Sequence, residues 1–382
     1  MSNVLGGLPV ARFLKEFWQK EPRVVRGAFP KLRDPLSPDE LAGLACEPEV
    51  DSRLVIERGR KPWRVVQGPQ DPKALMNLPP SHWTLLVESV DRHSSEVAAF
   101  ARAFAFLPRW RMDDVMVSLA PIHGTVDAHI DSYDVFLIQG QGRRRWEVDR
   151  RSRPVYKPGL DLRILKHFHA EESWELEPGD MLYVPPGVGH RGVTVQSDAD
   201  IALTYSVGFR APSTADLLST LLSHAIASEG PAVFADPRRS PARDAGEISR
   251  TDVSALRRFL IADIEGQTSD AWAIAMGAAV TSGGAGDGPT RVVGSALAKR
   301  FAHGATVTPV QAARMVWASL ERGRAAIFVN GECRVLPREQ AFAAPFVCGN
   351  GSRAGARRLA LRPALVSLAA DLFRAGVIRW RD

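Results

Sequence analysis

The chain has 382 residues, 45% of them hydrophobic and 24% charged, with a formal net charge of +6. That length exceeds a usual single core, so two or three domains are expected, and the composition is ample for globular packing. No run of about 20 apolar residues appears, which argues against a helical membrane span. Cys46, Cys333 and Cys348 lack C-x-x-C spacing and argue for a reducing compartment and against structural zinc. Residues 1–10 have no basic region of the kind a secretory signal carries. A cytoplasmic protein is expected, and its basic balance suits work close to nucleic acid or a nucleoprotein particle.

In chain order, Leu8 to Lys20 reads as an amphipathic helix with Phe13, Phe17 and Trp18 on its apolar face. Ser37-Pro38-Asp39-Glu40 is a capping box with proline at the first helical position, so a second helix starts there. Residues 54–67 carry a β pattern and 91–107 a helical one. From about Arg111 to Phe209, short strands alternate with Gly/Pro turns, as in a double-stranded β-helix or cupin-like jelly roll. Ser213 to Asp216 caps an apolar helix at 217–222, a polar linker covers 236–252, and helical patterns follow at 254–265 and 269–280. This helical block has little bulk for a core of its own, and pairing with a second copy into a homodimer is expected. The run 281–290 is a flexible linker by composition, and no Gly-Lys-Ser/Thr follows its glycines to make a phosphate loop. A helix is expected near 309–322, strands at 325–330 and 332–336, and helices through 364–375. Helices with a small β-ribbon suggest a winged-helix-like module, where Arg353, Arg357, Arg358 and Arg362 either touch phosphates or form a solvated face. The expected class is α+β: a catalytic jelly roll with N-terminal helices over 1–212, a helical dimerisation domain over 213–280, the linker over 281–290 and a winged-helix-like domain over 291–382.

The chemistry centres on three residues. His129 and Asp131 are two apart in a β-like run, and a strand sends i and i+2 to one face. His190 closes an apolar strand and a Pro/Gly turn beginning at Tyr183. Two histidines and a carboxylate on one side of a metal leave the opposite positions open, the arrangement of oxygen-activating Fe(II) enzymes. Between the first two ligands and Arg144 lies the apolar run 135–138, then Gly140-Gln141-Gly142, then Arg143 to Val148, which reads as a β-hairpin. Pairing across it puts Arg144 and Trp146 on the same side as His129, Asp131 and Tyr133, and turns Arg143 and Arg145 outward. A guanidinium facing a barrel interior needs an anion, and the distal carboxylate of 2-oxoglutarate fits it bidentately. His123, His167 and His169 are further candidate ligands, without a companion carboxylate in the right context.

The stretch Trp110 to Pro212 contains His129-x-Asp131-x-Tyr133-Asp134-Val135, Gly142-Arg143-Arg144-Arg145-Trp146, Glu177-Pro178-Gly179-Asp180, Pro185-Pro186-Gly187 and Tyr205-Ser206-Val207-Gly208-Phe209-Arg210. It resembles the bacterial JmjC-type ribosomal oxygenases, most of all those that hydroxylate arginine. Family members often carry a glycine-rich loop and Gly-Pro before the first metal histidine, whereas this chain reads Ala120-Pro121-Ile122-His123-Gly124-Thr125-Val126-Asp127-Ala128. The resemblance implies Fe(II), 2-oxoglutarate and O2 as reaction partners and Cβ of an arginine in a large-subunit ribosomal protein as the target. It also implies a C-terminal winged helix that does not read DNA sequence. An arginine reaching toward iron would want a carboxylate for its guanidinium and an aromatic wall for its stem, roles that Asp114 and Tyr133 fit. The resemblance likewise places substrate contacts at Asp114, Met116, Tyr133 and Ser206, with Ser118 near the co-substrate. Two other readings stay open: a cupin-type small-acid sensor joined to a winged helix that regulates transcription, and a JmjC enzyme acting on histidine or methyl-lysine in another protein.

Overall fold

The computed structural model describes residues 4–58, 61–230, 232–237, 239, 241, 244, 246–286, 288 and 292–381. Parts of the expected linkers, including Arg238, Ser240, Asp287, Pro289 and Thr290, lie outside the described residues. The chain divides into two compact units, Met1–Ala211 and Pro212–Asp382.

The first unit contains helices α1 (Val10–Glu16), α2 (Pro38–Leu44), α3 (Pro72–Met76) and α4 (Ala98–Ala103). Its strands are β1 (Arg23–Val25), β2 (Ser52–Arg58), β3 (Lys61–Gln67), β4 (Trp83–Val87), β5 (Met112–Pro121), β6 (His129–Ile130), β7 (Asp134–Gln139), β8 (Arg143–Asp149), β9 (Glu172–Leu176), β10 (Met181–Val184), β11 (Gly189–Val195) and β12 (Ile201–Phe209). They form an eight-stranded sheet, ordered β1-β10-β7-β12-β5-β4-β2-β3, and a four-stranded sheet, β6-β11-β8-β9. Strand alternation separates two cores. In β7, Phe136 and Ile138 join the cluster that includes Phe13, Val115, Val117 and Tyr205, while Val135 and Leu137 join Trp146, Val148, Leu182 and Val184 between the sheets. The large sheet therefore has both faces covered, and the second cluster is the jelly-roll interior.

Local signals explain the helices and where they stop. At α2 the Ser37 hydroxyl accepts from the Glu40 amide at 3.2 Å and the Glu40 carboxylate accepts from the Ser37 amide at 2.7 Å, which satisfies two otherwise orphaned donors. The first helix ends at Glu16 rather than near Lys20, because Gln19 takes a left-handed φ of 57° and gives its amide to the Tyr183 hydroxyl at 2.7 Å. The expected helix over 91–107 is broken. A 3-10 turn at Val90–Arg92 precedes α4, and the Asp91 carboxylate accepts from the Val115 amide at 2.8 Å.

The expected hairpin between 135–138 and 143–148 does not form. Both edges of β7 are already paired, with β10 and β12, and β8 belongs to the other sheet between β11 and β9. Gly140 to Gly142 is thus a crossover from one sheet to the other. The outward and inward assignment still holds, since Arg143 and Arg145 are exposed while Arg144 and Trp146 are buried. Alternation is a property of the strand itself and does not depend on which neighbour pairs with it.

The second unit contains α5 (Thr214–Glu229), α6 (Arg250–Gly266), α7 (Ser269–Thr281), α8 (Gly294–Ala302), α9 (Ala343–Pro345), α10 (Arg353–Ala360) and α11 (Pro363–Arg374). Its strands are β13 (Val307–Pro309), β14 (Met315–Ser319), β15 (Ala325–Val329), β16 (Glu332–Leu336) and β17 (Ile378–Trp380). Residues 309–322, expected as a helix, instead supply β14, which pairs along its whole length with β15. Its Met-Val-Trp content suits a strand, and the short apolar run could not be told from a helix by periodicity. The β15–β16 hairpin turns through Asn330 and Gly331, both at positive φ (51° and 93°), as a type I′ turn requires. Helix α7 lies against this ribbon so closely that a Cβ on Gly277 would stand 2.4 Å from the Phe328 ring. Phe301, Leu359, Leu365 and Phe373 centre a separate core shared by α8, α10 and α11.

Candidate metal and co-substrate site

His129 on β6 and His190 on β11 are direct cross-strand partners, their ring centroids 4.3 Å apart. The strand stops after Ile130, so Asp131 sits just past it rather than within a continuous strand to Phe136. Its Oδ2 nevertheless lies 3.9 Å from His129 Nε2 and 3.5 Å from His190 Nε2. Among the described residues these three form a group whose donor atoms lie within 4.8 Å of one another, as a shared metal ion requires.

The backbone sets which ring nitrogen each histidine offers. His129 Nδ1 meets the Asp127 carbonyl at 3.0 Å and His190 Nδ1 meets the Val188 carbonyl at 3.1 Å. A carbonyl only accepts, so each Nδ1 carries the proton and each Nε2 presents a lone pair. Burial, with His129 alongside, pushes the His190 imidazolium down to about 4, so the ring stays neutral, the form that ligates. Asp127 reaches its position through a left-handed φ of 62°. Its carboxylate also accepts from Lys157 Nζ at 3.0 Å, which ties down the loop before His129.

Antiparallel pairing carries the inward face from His190 to Arg144. Val148 is opposite His190, Trp146 opposite Gly192 and Arg144 opposite Thr194, and paired residues share a face. Arg144 is 3% exposed, and its guanidinium lies 5.1 Å from the Trp146 ring centroid. One terminal nitrogen donates to Ser118 Oγ at 3.0 Å and the other to the Gly192 carbonyl at 3.3 Å. Nε and the Trp146 indole N–H have no partner, and Arg144 makes no ion pair among the described residues. Burial alone pulls this guanidinium down to about 10, so the site holds a cation whose neutralising anion is still to come.

The opposite wall is the inner face of the large sheet. Val115, Val117 and Leu119 point into the outer core, which turns Asp114, Met116 and Ser118 inward. Ser206 is the cross-strand partner of Met116, and Thr204 of Ser118. Asp114 Oδ2 accepts from the Ser89 amide at 2.8 Å, yet burial still raises its carboxyl to about 6, with Asp113, Asp91 and Glu88 adding to the rise. Burial likewise raises the Tyr133 phenol, and Asp131 and Asp114 add to it, so Tyr133 faces both carboxylates as a neutral hydroxyl on an aromatic wall. All nine residues singled out from the sequence thus line one interior. His123, His167 and His169 are exposed and lie outside the ligand group.

Sequence reasoning missed Gly192. A Cβ there would fall 2.7 Å from the Trp146 ring and 2.8 Å from Arg144 Nε, so only glycine lets the guanidinium lie flat across the strand. Its signal was the break in the run Gly-His-Arg-Gly-Val-Thr, a glycine inside a strand marking a close approach.

Three carboxylate and imidazole ligands on one side, with a buried, unneutralised arginine across an apolar interior, define a metal-binding jelly roll built for a chelating dicarboxylate. The donor set and the orphaned guanidinium fit Fe(II) with 2-oxoglutarate. A family model described as a JmjC domain matches residues 99–217. The chain is 41% identical over 251 residues to the ribosomal protein uL16 3-hydroxylase of Escherichia coli (strain K12), covering 65% of each protein. It is 36% identical over 209 residues to a probable ribosomal oxygenase of Haemophilus influenzae, covering 54% of this chain and 50% of that protein. The matched region therefore spans about half to two thirds of the length of these relatives. The structure of YcfD, a ribosomal oxygenase from Escherichia coli in complex with cobalt and 2-oxoglutarate, superposes with a TM-score of 0.80 at 30% identity, over 98% of this chain and 99% of that one. The chain belongs to the JmjC-domain ribosomal oxygenase family.

Proposed function

We propose that this protein is an Fe(II)- and 2-oxoglutarate-dependent oxygenase that hydroxylates an arginine side chain at Cβ in a large-subunit ribosomal protein. Arg144 carries the reading: a fully buried guanidinium without an anion, held by Ser118 and Gly192, beside two histidines and a carboxylate. His129, Asp131 and His190 hold the metal, and Arg144 takes the far carboxylate of 2-oxoglutarate in a bidentate pair. The bound Fe(II), with 2-oxoglutarate and O2, supplies the oxidising power that inserts one oxygen into a C–H bond.

The rest is positioning by this chain. The shell of Val135, Leu137, Trp146, Leu182 and Val184 keeps water out and strengthens the Arg144 pair. Asp114 receives the substrate guanidinium, Tyr133 flanks its stem, and Met116 and Ser206 form the wall between them. The name of the uL16 3-hydroxylase relative supports a ribosomal protein as the target, and a ribosomal target supports a cytoplasmic location. Helix α6 supports a homodimer, since Val253, Leu256, Leu260 and Ile261 form an exposed stripe at i, i+3, i+7 and i+8. Residues 291–382 fill the role of the winged-helix-like module.

The test is turnover. Purified protein with Fe(II), 2-oxoglutarate and arginine-containing peptides from large-subunit ribosomal proteins should form succinate in step with one added oxygen on a peptide arginine. A protein that binds 2-oxoglutarate without forming succinate would be a sensor. Oxygen added to histidine, or loss of methyl from lysine, would move the target while leaving the metal site intact.

A further inference from the structure

The charge of this chain is not spread evenly. Residues 294–381 hold fourteen Lys and Arg against four Asp and Glu, a formal net charge of +10 where the whole chain carries +6. The remainder of the protein is therefore net acidic, and the positive field belongs to the end of the second unit.

Within that stretch the cations converge. A cleft of about 740 Å³ is lined by Lys299, Arg300, His303, Gly304, Arg353 and Arg381. Lys299 and Arg300 close α8, Arg353 opens α10, and Arg381 follows β17. None of these four cations makes an ion pair among the described residues. Some arginines elsewhere in the unit do find acids: Arg324 pairs with Asp270, and Arg334 and Arg374 both pair with Asp371. What sets the cleft apart is convergence: four cations line it and no acid does.

Two of the four heads are held in place. The Arg300 guanidinium lies 4.1 Å from the Trp380 ring centroid, and Trp380 is fixed in turn against Phe301 and Phe373. Arg381 donates to the Gly349 carbonyl. Holding like charges together costs repulsion, and α10 adds to the cost, since a cation in the first turn opposes the helix dipole and no acid there offsets it. A surface serving only solubility would spread these groups apart. Arg357 and Arg358 continue the basic face along α10, which extends it beyond the size of a single small anion.

We propose that the α8–α10 cleft binds the phosphodiester backbone of nucleic acid, through successive phosphates and without reading base sequence. The cations are side-chain point charges and guanidinium forks, suited to phosphate oxygens, and none of the residues lining the cleft is a Phe, Tyr, Trp, Asn or Gln that would discriminate bases. This places a nucleic-acid contact on the unit that does not carry the oxygenase site.

The experiment uses the full chain and a labelled RNA hairpin, followed by fluorescence anisotropy over a range of salt concentrations. Wild-type protein should bind with a steep salt dependence, and a DNA duplex should bind comparably. The exposed pair Lys299→Gln and Arg353→Gln should lower RNA affinity at least tenfold and reduce the salt slope by about two, one per lost phosphate contact. Arg334→Gln with Arg374→Gln, which removes charges already paired with Asp371, should change both far less. Thermal unfolding of each variant reports that the fold is retained, and Lys299→Gln alone gives a milder second reading. The proposal is overturned if the cleft pair binds RNA with wild-type affinity and slope. It is equally overturned if millimolar inorganic phosphate displaces the hairpin completely, since the cleft would then hold one small anion rather than a chain of them.

Discussion

Gly192 and Arg144 are a matched pair: a Cβ on Gly192 would stand 2.8 Å from Arg144 Nε, and the Gly192 carbonyl accepts from the same guanidinium at 3.3 Å. The glycine both makes room for the cation and helps to aim it. Gly192→Ala should therefore push Arg144 and Trp146 off their seats. Calorimetric titration should show 2-oxoglutarate binding weakened about tenfold, equivalent to about 1.4 kcal/mol. Overpacking should also cost about 1–3 kcal/mol of stability. Unchanged binding would mean that the guanidinium does not need this geometry.

The metal prediction can be read without turnover. Adding Fe(II) anaerobically, or Mn(II) in air, should raise the melting temperature of the first unit, because an ion that binds only the folded state stabilises it by mass action. Asp131→Asn removes the charge that joins the two histidines, and His129→Ala removes one ligand. Each should abolish the metal-induced shift while leaving a folded protein. A full shift in either variant would place the ion elsewhere.

Acidification should weaken substrate before it weakens the fold. Asp114 has its carboxyl raised to about 6, so it loses its charge as pH falls through that value. A guanidinium is attracted only by the charged form, and KM for a basic peptide should rise about tenfold per pH unit well below about 6. The same raised value means that ionised Asp114 costs the free protein stability above about pH 6, a cost that a bound guanidinium offsets. Asp114→Asn should bind weakly at every pH, with the profile flattened. An unaltered profile in that variant would assign the titration to another group.

The start of β7 rests on a buried ion pair. Asp134 is fully buried and accepts from Tyr183 at 2.5 Å, Gln19 at 3.0 Å and Arg111 at 3.1 Å. Arg111→Met keeps most of the packing volume but leaves a buried carboxylate without its cation. Breaking such a pair costs about 3–5 kcal/mol, and chemical denaturation of the first unit should lie in that range. A loss under about 1 kcal/mol would show the hydroxyl and amide donors sufficient on their own.

The ligand group was legible in the sequence because its logic is local. His129 and Asp131 are two residues apart, and His190 follows a turn whose Pro and Gly announce it. Arg144 was legible for a sturdier reason than the one first at hand. The hairpin that was to pair it with β7 does not exist, but its inward direction follows from alternation within β8, which any partner strand would preserve. Contacts between sheets were not legible. The Ser118 hydroxyl meets Arg144 across the interior, and nothing in either strand reveals which residues of the other will face it. Gly192 belongs to the same class, since its constraint is set by Trp146 on the neighbouring strand. In the second unit, β14 was misread because a short apolar run carries too few residues to separate a period of two from one of 3.6.

The proposed reaction places one oxygen on an arginine of a large-subunit ribosomal protein. Intact-mass and peptide spectrometry of ribosomal proteins from cells with the gene, without it, and with His190→Ala in its place reads that product on its natural target. One ribosomal arginine should be heavier by a single oxygen only in cells carrying the wild-type gene. Ribosomal arginines of identical mass in all three strains would contradict it.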